Sequence, residues 1–286
     1  MTATAKSRSV QMEYARLGND QVPVLGFGTW HLGGHWERDT TRDAEEVRAI
    51  RTAIGLGMTH LDTAELYGDG HAEELVARAM HGIPRDRIFL TTKVKGDHLR
   101  SQQVAEACTR SLQRLRTDHI DLYLVHWPNS RVPLAETMQA LADLRDRGLI
   151  RHIGVSNFEV EHLKEARKHA PIVANQVEYS LAVREHAQFA DHIESRVIPY
   201  CARHRITVIA YRPLAIGKLP HLRPLQAIAG DIGKTPAQVA LNWLFRKGTI
   251  TIPMSRNPAH IRENLGALGW KLSRTQVAVL DRLPHR

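Results

Sequence analysis

Short apolar runs of strand type alternate with amphipathic helical stretches eight times along this chain. The strand candidates are VLGFGTW (Val24–Trp30), THLDTA (Thr59–Ala64), IFLTTKV (Ile88–Val94) and DLYLVH (Asp121–His126). They continue with HIGVSN (His152–Asn157), VANQVEY (Val173–Tyr179), TVIAYR (Thr207–Arg212) and TITIP (Thr249–Pro253). Several are almost unbroken apolar runs, as parallel strands covered on both faces require. A strand followed by a helix, repeated eight times, predicts an α/β fold of the (β/α)8 TIM-barrel type rather than an open sheet. The 286 residues suit one such barrel, and no linker or composition break interrupts them. Residues 1–286 are therefore read as a single domain, with 1–11 as a flexible tail.

Local signals support the helices. Ala44, Val47, Ile50 and Ile54 share one helical face, and Gly55 and Gly57 can stop that helix. Pro133 opens a later helix that Gly148 ends. Ahead of the first barrel strand, EYARLGNDQVPVLG reads as a hairpin with a Gly-Asn-Asp turn, placed to plug the bottom of the barrel. Ser273–Leu283 reads as a short closing helix capped by Ser273.

The net charge is +9, but the basic residues are scattered and alternate with acids, as in RDRGLIRHI. No nucleic-acid partner is expected from that pattern; a basic surface that attracts a phosphorylated cofactor is. No apolar run is long enough to span a bilayer, and the polar N-terminus lacks the apolar core of a secretory signal. The two cysteines, Cys108 and Cys201, form neither a disulfide framework nor a zinc site. A cytoplasmic monomer without a resident metal is the expectation.

The chemistry lies where such barrels carry it, at the C-terminal ends of the strands. Asp62, Lys93 and His126 fall at three successive strand ends, and Tyr67 lies just beyond the first of these. A phenol with an ordinary pKa of about 10 is protonated at neutral pH and can donate. An adjacent ammonium, Lys93, would lower that pKa, and Asp62 would keep the lysine charged and aimed. His126 would hydrogen-bond a carbonyl oxygen. Such a group protonates the oxyanion formed when hydride reaches a carbonyl carbon, and hydride requires a cofactor.

At this point the sequence resembles the aldo-keto reductase superfamily, from about Val22 to Leu268. The matching blocks are GFGTW, LDTAELYG, TTKV, LVHWP, GVSNF, NQVEYS, AYRPL and IPMSRNPAHIRENLGAL, in that order. The resemblance implies that Asp62, Tyr67, Lys93 and His126 form a catalytic tetrad with the tyrosine as general acid. It further implies NADPH-dependent reduction of aldehydes and ketones on a (β/α)8 barrel. Ser156, Asn157 and Gln176 match residues that bind the nicotinamide carboxamide, and Tyr211 the aromatic on which that ring stacks. Leu214 matches a position near the pyrophosphate, and Glu263 and Asn264 the adenine end.

The chain departs from the family pattern in three respects. Met254 and His260 stand where lysine and arginine often grip the 2′-phosphate, which leaves Ser255, Arg256 and His260 to hold it. NADPH is the expected cofactor, with NADH an open alternative. Arg212 replaces a usual serine, either reaching the pyrophosphate or facing solvent. Ala215 replaces a common glycine and should restrict its loop from positive φ.

Trp30 and Trp127 are expected to line the substrate pocket, and the short stretch after the last barrel helix predicts an open mouth suited to small or varied carbonyls. The chain is most similar to bacterial members of the family, diketogluconate-reductase-like enzymes among them. The alternative is a non-catalytic nicotinamide-binding regulatory module on the same fold. A barrel hydrolase or lyase using Lys93 as a Schiff base is a further alternative, against which the cofactor-like blocks stand.

Overall fold

The computed structural model describes residues 11–219 and 222–285. Nearly all of the expected tail, 1–10, lies outside that range. The described chain opens with an antiparallel hairpin, β1 (Tyr14–Leu17) and β2 (Asp20–Pro23), in which Leu17 pairs with Asp20 across a two-residue turn. The turn is thus Gly-Asn, and Asp20 already belongs to the strand.

Eight parallel strands follow in one sheet: β3 (Phe27–Gly28), β4 (His60–Asp62), β5 (Phe89–Val94), β6 (Ile120–Val125), β7 (Ile150–Ser156), β8 (Ile172–Glu178), β9 (Thr207–Tyr211) and β10 (Ile250–Thr251). Each pairs with the next in sequence. A parallel bridge between Leu25 and Thr251 brings the two ends of the sheet together and closes the barrel.

The seam explains why the first and last strands are shorter than their apolar runs. It consists of that bridge and a few backbone bonds: Gly26 N to Thr251 O, Thr251 N to Val24 O, and Gly28 N to Pro253 O. Gly28 permits a close approach across the seam, and Gly26 one to β4. A Cβ at Gly26 would sit 2.8 Å from the His60 carbonyl oxygen, and one at Gly28 2.6 Å from that of Ile252.

Helices cover the outside: α1 (Asp43–Gly55), α2 (His71–Met80), α3 (Ser101–Leu115), α4 (Leu134–Asp146), α5 (Val160–Ala166), α6 (Ile198–Arg203), α7 (Arg223–Asp231) and α8 (Pro236–Arg246). They are followed by α9 (Pro258–Leu265) and α10 (Arg274–Asp281). Ser273 caps α10 by accepting from Gln276 N, as its sequence predicts. Among the described residues no helix is long and apolar enough to cross a membrane.

The buried face of α1 is rotated from the expected one. It comprises Glu46, Ala49, Ile50 and Ala53, whereas Ala44 is exposed. A glutamate therefore occupies a position that a hydrophobic count assigns to solvent, and its partner is found far along the chain, as described below.

The hairpin packs across the N-terminal end of the barrel. Leu17 and Val22 join Phe89, Leu122, Leu124, Ala174, Ile209, Ile250 and Ile252 in the barrel's interior cluster. Asp20 bonds His152 near the start of β7 at 2.6 Å, and Arg16 O accepts from Thr207 at the start of β9. The hairpin is a structural plug remote from the strand ends that carry the polar cluster. Leu17→Ala should lower unfolding stability by about 2–5 kcal/mol in denaturant titration, because the emptied space cannot be refilled by solvent. A loss below about 1 kcal/mol would show that the hairpin does not support the core.

Candidate active site

Alternation with period two selects which strand residues face the barrel axis. Phe89, Leu122, Leu124, Ala174 and Ile209 point inward, while Leu90, Tyr123, Val125, Val177 and Val208 pack outward beneath the helices. Continuing the inward parity to the C-terminal ends reaches Lys93 from Phe89, His126 from Leu124, Gln176 from Ala174 and Tyr211 from Ile209. Asp62 and Ser156 stand in the same relation to His60 and Gly154. The polar side chains named from the sequence thus form the uppermost inward layer of one barrel.

Lys93 is completely buried, and its Nζ lies 2.6 Å from Asp62 Oδ1. The ammonium also donates to the Thr63 carbonyl at 2.8 Å and to the Tyr67 hydroxyl oxygen at 3.5 Å. The second Asp62 oxygen accepts from Gln176 Nε2 at 2.7 Å. Tyr67 lies in the turn between β4 and α2, and its ring meets His126 edge-on at a centroid distance of 5.7 Å. Because Lys93 donates to the phenol oxygen, the phenol hydrogen is left to point elsewhere. His126 Nδ1 is buried without a hydrogen-bond partner.

Burial governs the protonation of these groups. It pushes the Tyr67 phenol well above its ordinary value, and the Asp62 carboxylate adds to this while Arg212 opposes it. The expectation of a lowered phenol pKa is therefore corrected: Asp62 offsets the lysine's charge, and desolvation disfavours phenolate. Burial also pulls the Lys93 ammonium below its usual range, against the resisting charge and hydrogen bond of Asp62. The His126 imidazole is held far below its normal range by burial first and the Lys93 charge second.

Tyr67 and His126 open on a cavity of about 1030 Å³, with Lys93 buried behind them. Trp30, Tyr67, His126 and Trp127 line it from the strand ends and loops after β3–β6. Ser156, Asn157, Gln176, Tyr211, Arg212 and Leu214 line it from β7–β9 and the segments that follow them. Met254, Ser255, His260, Glu263 and Asn264 complete it from the β10 loop and α9.

The amide groups bond one another. Ser156 Oγ donates to the Gln176 carbonyl at 2.9 Å, and Asn157 Nδ2 donates to Ser156 Oγ and to the His126 carbonyl. Tyr211 OH donates to Asn157 Oδ1 at 2.9 Å. Gln176 therefore links this network directly to Asp62.

Arg256 is the predicted site residue that the structure takes elsewhere. Its Nε donates to Glu46 Oε1 at 2.7 Å, its fork also meets the His31 carbonyl, and it does not line the cavity. A nearly buried carboxylate has claimed the guanidinium expected to hold a phosphate. Arg212 does line the cavity, with its Cζ 4.3 Å above the Trp30 ring and its fork 3.5 Å from Glu178. Ala215 is corrected as well: its φ is +48°, and Ile216 follows at +55°. The loop accepts left-handed backbone without glycine there, at a steric cost of roughly 1–2 kcal/mol per residue.

Other lining residues were not singled out from the sequence. His31, His35 and Trp36 extend the aromatic wall begun by Trp30, and Phe189 stacks on Trp127 at 6.0 Å. The segment HLGGHW directly after GFGTW held the first three in plain view. Phe189 follows no recognisable motif. Glu46 was hidden because its acidity matched an exposed helix position.

The family model for the aldo/keto reductase family matches residues 24–284. Methylglyoxal reductase YeaE of Escherichia coli is 36% identical over 274 residues, spanning 93% of this chain and 92% of that protein. A thermostable aldo-keto reductase, Tm1743, solved with the inhibitor epalrestat, superposes with a TM-score of 0.88 at 40% identity, covering 94% of this chain and 99% of the other. An aldo/keto reductase from Klebsiella pneumoniae, solved with NADP and acetate, gives 0.85 at 37% identity with 95% of both chains covered. A match over nearly the whole barrel, by sequence and by shape, makes this chain a member of the aldo/keto reductase family.

Proposed function

We propose that this protein reduces aldehydes or ketones to alcohols, with NADPH as hydride donor and Tyr67 as the proton donor. The observation that carries the reading is a phenol whose oxygen lies 3.5 Å from a fully buried ammonium, itself paired with Asp62 at 2.6 Å, at the wall of a large cavity. The donor set suits a nicotinamide dinucleotide. An amide and hydroxyl cluster, Ser156, Asn157 and Gln176, stands beside the phenol, with the Tyr211 ring next to it. Ser255, His260, Glu263 and Asn264 would receive the adenosine end, and the NADP complex of the Klebsiella relative supports the choice of cofactor. When bound, the reduced dinucleotide supplies hydride.

The side chains supply the rest. His126, neutral because of its burial, donates an N–H to the carbonyl oxygen and polarises it without bringing a charge. Tyr67 remains protonated until an alkoxide develops, which is a strong enough base to take a proton even from a phenol of raised pKa. The phenolate left behind faces the Lys93 ammonium. That attraction is worth roughly 4 kcal/mol at this separation and an effective dielectric of about 20. Asp62 keeps the ammonium in place for it. Trp30 and Trp127 would flank the substrate, an apolar wall around a polar floor.

Tyr67→Phe should lower kcat for benzaldehyde reduction by about 10²–10⁴-fold, the usual share of a general acid. The dissociation constant for NADPH, read by tryptophan fluorescence quenching, should change by less than about twofold, because the ring is kept. Retention of more than about a tenth of the activity would remove Tyr67 from the acid role.

The pH profile follows from the directions of the two shifts. The active phenol is the protonated form, lost only as pH rises through a raised pKa. The active imidazole is the neutral form, lost only as pH falls through a depressed one. Wild-type kcat/KM should therefore be level from about pH 6 to about 9. An inflection near pH 6.5 that His126→Asn abolishes would contradict the assignment of a neutral imidazole.

A further inference from the structure

The arginine that the cavity does not use points to a second role. Two loops border the cavity from opposite ends of the sheet. The loop after β3 carries Trp30, His31, His35 and Trp36, and the loop after β10 carries Met254 and Ser255. Glu46, 2% exposed, joins them: one carboxylate oxygen accepts from Gly33 N at 2.6 Å, and the other from Arg256 Nε at 2.7 Å. Arg256 also donates to the His31 carbonyl, so carboxylate and guanidinium close a ring around the His31–Gly33 backbone.

Apart from the Leu32 side chain, which is buried in the core, that backbone has few bonds to hold it. His31 sits at φ +71°, left-handed for a non-glycine residue, and the loop has no strand ladder. Its backbone hydrogen bonds include Leu32 N to Thr29 O, Asp39 N to Gly33 O and Gly68 N to His35 O. The rings it presents lie against one another. Trp30 and His31 rings lie 3.9 Å apart, and His31 and His35 are nearly parallel at 4.5 Å. Whatever fixes the His31 carbonyl consequently fixes a wall of rings.

We propose that Glu46 and Arg256 are positioning residues that clamp the Trp30–Trp36 wall to the β10 loop and thereby set affinity for carbonyl substrates bearing an aromatic or similarly large flat group. The inference rests on the reductase reading for its kinetic part and replaces the phosphate-gripping role of Arg256. A bulky flat substituent would lie along the wall of rings, whereas a carbonyl of two or three carbons would meet Trp30 at most.

The test compares wild type with Arg256→Ala, Arg256→Lys and Glu46→Gln. Lysine keeps a positive charge beside Glu46 but lacks the fork that also bonds the His31 carbonyl, so it should not rescue. In all three variants KM for benzaldehyde should rise about 5–20-fold with kcat within about threefold, whereas KM for methylglyoxal moves less than about twofold. Hydrogen exchange over residues 29–42 should accelerate in each variant, a readout that needs no turnover. The NADPH dissociation constant should stay within about twofold of wild type. Equal rises in KM for both aldehydes would reveal general loosening and overturn the proposal. So would unchanged exchange over 29–42, rescue by Arg256→Lys, or a selective loss of NADPH over NADH in Arg256→Ala. Absence of wild-type turnover would sink the reductase reading instead, and the exchange measurement would still decide the clamp.

Discussion

The buried ion pair between Lys93 and Asp62 is the constraint on which the rest of the site depends. Placing an ammonium where no water reaches costs several kcal/mol, and the cost is tolerable only with an opposite charge in contact and the remaining protons bonded. Asp62 and the Thr63 carbonyl meet that requirement on one side, and the Tyr67 oxygen takes what remains. Those bonds orient the phenol. They also bind Asp62 through Gln176 to the amide network of β7 and β8. A single desolvated cation thus organises groups from four strands, and removing it would leave a carboxylate without its counter-charge as well as a phenol without its neighbour.

The pair also explains why the phenol is a weaker acid at rest than a lysine-centred view suggests. Lys93 faces Asp62 more closely than it faces Tyr67, so the phenol experiences a nearly neutral pair inside a dry wall. Desolvation then dominates. Under the proposed reduction, the arrangement would keep the proton on oxygen until charge develops on the substrate, and the lysine's field would then act on the phenolate. One geometry would then serve both protonation at rest and release during that reaction.

Much of this was legible in the chain. Eight strand-helix alternations specified the barrel, and strand ends located Asp62, Lys93 and His126, because position along a parallel strand in a barrel translates directly into depth. The hairpin plug was readable from its turn. What escaped was set by contacts between distant segments. Glu46 and Arg256 are separated by 210 residues, and nothing local marks the glutamate as buried or the arginine as occupied. The left-handed Ala215 also defied a residue-by-residue rule, since its φ is imposed by the turn leaving β9 rather than by its own preference. Local pattern determined which elements exist; pairing across the barrel determined which charges were already spent.

Hydrogen bonds already made within the cavity wall bear on how a ligand would gain affinity here. Ser156, Asn157, Gln176 and Tyr211 are already bonded among themselves, so a carboxamide arriving beside them exchanges hydrogen bonds more than it adds them, and exchange contributes little net free energy. Affinity must then come from apolar contact with the cavity wall and from anionic groups elsewhere on the ligand. The same network gives something other than affinity. Asn157 holds a left-handed backbone, φ +60°, and its amide ties the His126 carbonyl to Tyr211 and Ser156. The polar floor is thereby fixed before any ligand enters, which is the condition that the proposed reduction would set for aiming hydride and proton at the two ends of one carbonyl bond.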